Sequence, residues 1–429
     1  MEIETITTSL EAAKKLIVHK QFLAGNTPEG SFNDKLKAIL RNIGYIQWDP
    51  VTVVAPSHLI SIWSRIGKFD WSELDKIMWH DKEVLFQWTP IAWLVLAEDY
   101  PIFYSLMSRY PDSMRKGWAN HAESANKFLN SHHELKKKVM NRLKEGPAET
   151  GQFKNYGIRN KSPDGWSSGN EVTQLLFHLQ MKGEVMVSGH SGNQNLWNLT
   201  DNFLPQSVER TIIPADEFEK TTAIRAMRAL GVSLDYDIYR YFVRGRYTDL
   251  KGTLKKLVED GKAVKVKIDG QSKKKTYYML SEDIKALDSI ISDKWEPRLS
   301  LISPFDNMIT LRDRTQKMFN FNYILEQFVP KEKRRFGTYV LPILWGSNLV
   351  GRINAKFEKQ QKILDIHGVF AEPGFENEAI IGDRLADRVE DFADFLGAEK
   401  VKYGKIKPGQ WKIIEHRSHL DKYLHRVIP

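Results

Sequence analysis

The chain repeats itself, and that repeat restricts its fold more than any other feature. One copy reads Leu176-x-x-Leu179-x-x-x-Gly183-x-Val185-x-Val187, a Gly-Asn-rich turn, then Trp197-x-Leu199; the second reads Leu254-x-x-Leu257-x-x-x-Gly261-x-x-Val264-x-Val266, a Gly-Gln-Ser turn, then Tyr278-x-Leu280. The paired leucines share one helix face, the glycine ends the helix, and alternating apolar residues on either side of a polar tip make a hairpin. Each copy therefore predicts a helix lying across a two-stranded wing. Lys273, Lys274 and Lys275 sit on the second tip, where a lysine triplet is either a solvated edge or a contact for a polyanion.

The first part of the chain follows a compatible order. Ser9 caps a helix carrying Leu10, Ala13, Leu16 and Ile17 and ended by Gly25 and Asn26; a second helix runs from about Phe32 to Ile43 and stops at Gly44. An amphipathic segment from His58 to Ile66 follows, then Ser72 as the cap of a helix with Leu74, Ile77 and Met78, then a strand from Val84 to Trp88. Helix, helix, recognition-type helix and strands is a winged-helix order. Residues 111–131 read as a connection with one exposed helix. From Trp295 onward β-branched and aromatic runs take over at Leu299 to Ile302, Tyr339 to Trp345, Leu349 to Ile353 and Ile363 to Val369, closed by a helix from about Ile381 to Leu396 and a basic tail whose stretch Tyr403 to Ile414 is a candidate strand. The expected class is α+β: three tandem winged-helix modules, residues 1–118, 119–212 and 213–290, and an antiparallel β-barrel-like module, residues 291–429.

Between the second and third helices lies Gly-Tyr-Ile-Gln-Trp-Asp-Pro-Val-Thr-Val-Val-Ala-Pro, from Gly44 to Pro56. It is apolar enough to be buried, yet Gln47 and Asp49 interrupt it. Pro50 disfavours helix at Asp49, and in an extended segment Gln47 and Asp49 face one side while Ile46 and Trp48 face the other. Two readings follow. Either both side chains satisfy nearby backbone groups, or they form a site that positions a water. The indoles of this region, Trp48, Trp63, Trp79, Trp88 and Trp93, are expected to be mostly core, Trp48 among them.

Composition narrows the chemistry. The chain has no cysteine, which excludes disulfides, thiolate metal sites and a Cys nucleophile. Lys and Arg number 63 against 54 Asp and Glu, a net charge of +9 that leans toward polyanionic partners. There is no signal-peptide pattern, and the longest apolar run, Ile91 to Ala97, is too short to span a bilayer; a cytoplasmic or nucleoid-associated protein is expected. No Walker loop, GxGxxG or nucleophile elbow is present, His416 and His419 near Asp421 lack the further ligands a metal site needs, and Asn198-Leu199-Thr200 is a sequon without consequence in a cytosolic chain. Neither a metal nor a cofactor is expected.

Gln47-Trp48-Asp49-Pro50, Trp63-Ser64-Arg65-Ile66-Gly67, Ser303-Pro304-Phe305-Asp306, Lys333-Arg334-Arg335-Phe336-Gly337-Thr338-Tyr339-Val340-Leu341-Pro342 and Ala226-Met227-Arg228-Ala229-Leu230-Gly231-Val232 together resemble the winged-helix DNA glycosylases typified by YcaQ (AlkX) and the related AlkZ. The matches keep their order over nearly the whole chain. The resemblance implies three winged modules and a β-barrel-like module around a basic channel for duplex DNA, with a Gln-apolar-Gln site in one branch and Gln-apolar-Asp in the other. Gln47-Trp48-Asp49 matches the second, the branch associated with broader substrates including interstrand crosslinks. One departure stands out: the family pattern places a histidine two positions after an aromatic residue following the first wing, whereas here Trp88 is followed by Thr89-Pro90.

The expectation that results is a monomeric, monofunctional glycosylase acting on bulky or cationic N7-alkylguanine in duplex DNA. Asp49 would stabilise an oxocarbenium-like sugar and take a proton from water, and Gln47 would hold that water. No lysine lies in the key stretch to form a Schiff base, so no lyase step is expected. Lys331, Lys333, Arg334 and Arg335, with Arg312 and Arg314 behind them, are the candidates for DNA backbone contact; the alternative for Arg334 and Arg335 is pairing with acidic residues such as Glu326. The rival reading of the whole chain is a non-catalytic winged-helix transcriptional regulator, which would be a dimer on a two-fold operator.

Overall fold

The helix–glycine–hairpin pattern is realised as expected. Helix Glu171–Met181 leads to the hairpin Val185–Ser191 and Gln194–Leu199, and helix Leu250–Glu259 leads to Ala263–Ile268 and Tyr277–Leu280. Gly183 and Gly261 end their helices at φ +73° and +69°, left-handed backbone that glycine adopts without a Cβ penalty. The same two hydrogen bonds follow in each copy. Glu184 N–H donates to Leu179 O at 2.9 Å and Lys262 N–H to Leu257 O at 2.9 Å, then Thr200 and Ser281 close the hairpin bases onto Glu184 O and Lys262 O at 3.2 and 3.0 Å. A third hairpin, Val84–Trp88 with Ala92–Leu96, is closed in the same way by Ala97 N–H on Glu83 O at 2.9 Å.

The computed structural model describes residues 5–49, 51–88, 91–114, 119–153, 156, 171–192, 194–272 and 274–415. Pro50, Thr89, Pro90, Lys273, His416, His419 and Asp421 lie outside them. The chain divides into two compact units, residues 1–73, 223–242 and 250–429 in one, residues 74–222 and 243–249 in the other.

The second unit holds two of the hairpins. Ala148–Glu149 adds a third strand beside Gln194–Leu199; helix Ala119–Ser131 is the one helix expected within residues 111–131, and helix His133–Lys144 follows it.

The first unit holds the remaining hairpin, two sheets and every candidate catalytic or DNA-binding residue among those described. Ser9 caps helix Leu10–Lys20 by accepting from Ala12 N–H at 3.1 Å, and a capping box at Ser31 opens helix Phe32–Ile43. Thr5–Thr8, which no sequence signal marks, is a strand parallel to Ala263–Ile268. At the Trp71–Asp75 helix the cap is Asp70, whose Oδ1 accepts from Ser72 N–H at 2.9 Å, rather than Ser72 itself.

The C-terminal sheet runs Leu299–Leu301, Val340–Trp345, Asn348–Glu358, Ile363–Ala371 and Lys400–Lys407 in that order. Its first three pairings are antiparallel, but Lys400–Lys407 runs parallel to Ile363–Ala371, correcting the expectation of a wholly antiparallel module. The cause is helix Ala379–Leu396, which carries the chain back across the sheet as a crossover, so the next strand re-enters in the same sense.

Candidate active site

The key stretch begins where helix Phe32–Ile43 is stopped by Gly44, at φ +82°, with the Phe242 ring so close that a Cβ there would meet it at 3.1 Å. The expected extended segment is short: only Ile46–Gln47 is strand, and Trp48 and Asp49 belong to the coil beyond it. Ile46 is fully buried and Gln47 is 7% exposed. Among the described residues the Gln47 carboxamide takes no hydrogen-bond partner.

Asp49 is half-buried and its Oδ1 accepts the N–H of Val51 at 2.9 Å, a local turn of the kind aspartate makes with its own backbone. Burial raises its pKa above the ordinary 3.8, against the opposing pull of the Val51 N–H. Trp48 is not core: it is half-buried, stacked on the buried His58 ring at 3.8 Å between centroids and 8° between planes. With the strand ending at Gln47, strict alternation no longer governs where the indole points. Trp63 and Trp93 are buried as expected, whereas Trp79 and Trp88 are half-buried.

Two of the motifs quoted above meet beneath this stretch. Arg65 donates to Asp306 twice, at 2.6 and 3.0 Å, and also to Gln21 Oε1 at 3.1 Å and Ser61 O at 2.8 Å, with both charged side chains at 0% exposure. Ser57, opening helix Ser57–Ile66, shares a 2.8 Å hydrogen bond with Ser303. Val53 O accepts from Phe357 N–H at 3.0 Å, tying the loop after Asp49 to the C-terminal sheet. Tyr339 is fully buried; burial pushes its phenol far above the usual tyrosine range, and the Asp49 carboxylate is among the charges that push further. Tyr339, Ser303, Ser57 and His58 carry no sequence signal as site residues. Two of them stand inside motifs quoted above, but nothing in their spacing points toward Asp49.

The cationic candidates divide by environment. Lys331–Lys333 is a 3-10 turn with both lysines exposed, and Arg335 is exposed too, with its guanidinium 5.3 Å from the Phe336 ring. Arg334 bonds Val329 O at 2.8 Å, Thr338 Oγ1 at 3.1 Å and Gln327 O at 3.4 Å. Glu326 pairs with neither arginine side chain; its carboxylate instead accepts the N–H groups of Arg335, Phe336 and Gly337 at 3.1, 2.9 and 2.9 Å. Burial works to raise the Glu326 pKa, but those donors and the Arg352 charge carry it below its ordinary value. Gly337 sits at φ +133°, where a Cβ would run into the Asn354 side chain, so no other residue fits this turn without displacing it.

Arg314 is withdrawn from the DNA-contact set. It is 4% exposed, bonds Leu230 O and Val232 O at 2.7 and 3.1 Å at and beyond a helix end, and lies 3.8 Å from the Asp237 carboxylate, which makes it a core cation. Arg312 is half-buried, donating to Ile309 O and Pro304 O with its guanidinium 4.4 Å from the Tyr323 ring. Lys274 is exposed and Lys275 half-buried at the hairpin tip; Lys273 lies outside the described residues.

Comparison with known proteins finds a similar fold and a matching family. Among solved structures, the Streptomyces sahachiroi DNA glycosylase AlkZ has a similar fold, with TM-score 0.61 and 13% identity over 94% of this chain and 100% of that one. A family model described as DNA glycosylase AlkZ-like matches residues 40–395, from the end of the helix before Gln47 to the last turn of the helix before the final strand. The chain belongs to the AlkZ-like DNA glycosylase family.

Proposed function

We propose that the protein is a monofunctional DNA glycosylase that hydrolyses the N-glycosidic bond of bulky or cationic N7-alkylguanine in duplex DNA, unhooking of interstrand crosslinks included. Alkylation at N7 leaves a positive charge on the base, so the base departs with the bonding electron pair without a strong acid. Water then bonds to C1′ as the bond to N9 breaks. Asp49 faces the developing oxocarbenium charge and takes the proton that the water gives up, and Gln47 holds the water through its amide. No side chain of the stretch supplies an amine for a Schiff base, so the strand is left uncut at an abasic site.

The observation that carries this reading is the state of Asp49. It is partly desolvated, pinned by one backbone N–H, and the other carboxylate oxygen takes no partner among the described residues. A carboxylate meant only to satisfy the backbone would use both oxygens, as Glu326 does.

The three helix–hairpin units serve as winged modules, with residues 1–118, 119–212 and 213–290 as their spans and residues 291–429 as a barrel-like wall. The bulges at Ile343/Leu344 and Asn354/Ala355 favour such curvature. Lys331, Lys333 and Arg335, with Lys273, Lys274 and Lys275 on their hairpin, neutralise phosphates; the enzyme works as a cytoplasmic monomer. Among the described residues no helix is long and apolar enough to cross a membrane.

The test is incubation with duplex DNA carrying N7-methylguanine or a nitrogen-mustard crosslink, followed by heat or alkali. Strand breaks at the lesion support the reading. An intact lesion alongside tight, sequence-specific binding as a dimer would replace it with the regulator.

A further inference from the structure

One loop of the first unit holds a large apolar ring in water. Phe328 is 72% exposed, and Ile324, earlier in the same loop, is 59% exposed. A single exposed hydrophobe needs no explanation by itself, but the backbone around Phe328 is built to hold it. It ends the 3-10 turn Glu326–Phe328, with Val329 N–H on Glu326 O at 3.0 Å. Arg334 then reaches across and bonds the carbonyls on either side of it, Gln327 O at 3.4 Å and Val329 O at 2.8 Å. The Glu326 carboxylate fixes the returning strand of the loop through three N–H groups. The ring is thus presented at the apex of a clip closed at both ends, and Lys331, Lys333 and Arg335 stand beside it in the chain.

A rigid aromatic apex among cations fits a surface that offers flat apolar faces flanked by phosphates. That is a base step of duplex DNA. Building on the glycosylase reading above, we propose that Phe328 is a wedge that enters between base pairs beside the lesion, while Lys331, Lys333 and Arg335 hold the backbone on either side. Arg334 becomes a positioning residue for the wedge instead of a phosphate ligand. The proposal answers a demand of the substrate: a base tied to both strands cannot swing out of the stack, so the duplex must be opened around it by insertion.

The experiment uses the full chain and an undamaged duplex with one 2-aminopurine, whose emission rises when it is unstacked. Phe328→Ala, Phe328→Trp and the triple variant Lys331→Ala, Lys333→Ala, Arg335→Ala are compared with the parent. The parent and Phe328→Trp should bind and raise the emission. Phe328→Ala should bind about tenfold more weakly, with no rise in emission and an unchanged salt slope, since the variant forfeits stacking and keeps its phosphate ligands. The triple variant should flatten the slope. The side chain is mostly in water, so truncation leaves the fold standing, and equal thermal midpoints check this. If Phe328→Ala matches the parent in affinity and emission, or the parent binds without any rise, the wedge is rejected while DNA binding stands. If the parent fails to bind duplex at all, the wedge and the glycosylase reading fall together.

Discussion

Asp49 spends its solvation on being where it is, and two measurable effects follow. Its ionised form is the working form, so the acid limb of excision should lie above the ordinary carboxylate value of 3.8, in the direction its burial shifts it. The stability effect has the opposite sense. Between the unfolded value and the raised folded value the native state holds more protons, so stability falls as pH rises through that window and stays lower above it. Asp49→Asn, whose side-chain oxygen can still accept the Val51 N–H, should abolish most excision, about a hundredfold or more, with duplex binding near normal. It should also raise the thermal midpoint at neutral pH and leave it unchanged in acid. Equal turnover in the variant would remove Asp49 from the chemistry. At the same scale, Arg65→Met leaves Asp306 buried and unpaired and should cost about 3–5 kcal/mol in denaturant titration, much of it recovered by Arg65→Met with Asp306→Leu. The sequence offers both ends of this bridge in separate motifs, but nothing local states that residues 241 positions apart will pair. Trp48 escapes prediction for a related reason: its orientation depends on where the strand stops.

Elements are legible where the signal is local. Gly183 and Gly261, the Ser9 cap and the paired leucines each report on a few neighbouring bonds, and the hairpins they foretell are present. Thr5–Thr8 is invisible because a strand at a sheet edge is made by its partner, and these residues show no clear alternation. The sense of Lys400–Lys407 is likewise unreadable, being decided by which way a helix turns the chain. The loop from Glu326 to Thr338 offers a test of organisation against charge. Glu326→Ala raises the net charge from +9 to +10, so electrostatics alone would tighten DNA binding. Loss of the three N–H bonds should instead loosen the loop and weaken binding about tenfold. A tighter complex would show that the loop works as charge only.

On the scale of the whole molecule, the excess of cations predicts binding that depends steeply on salt. Removing one phosphate-neutralising side chain should reduce the slope of log K against log salt by about 0.9. Arg335→Glu should show this, and Arg314→Gln should leave the slope alone while lowering stability, since that cation is sealed in the core. A slope unchanged by Arg335→Glu would remove that residue from the interface.

The pairing of Thr5–Thr8 with Ala263–Ile268 also sets a timetable for the growing chain. The first strand leaves the ribosome long before its neighbour is translated, and Arg65 must wait longer still for Asp306. The unit that carries Gln47 and Asp49 therefore cannot be completed by the amino-terminal portion alone. Cutting the gene between apparent modules would yield a fragment with an orphan edge and an uncompensated interior charge, a target for chaperones or proteolysis rather than a smaller working enzyme.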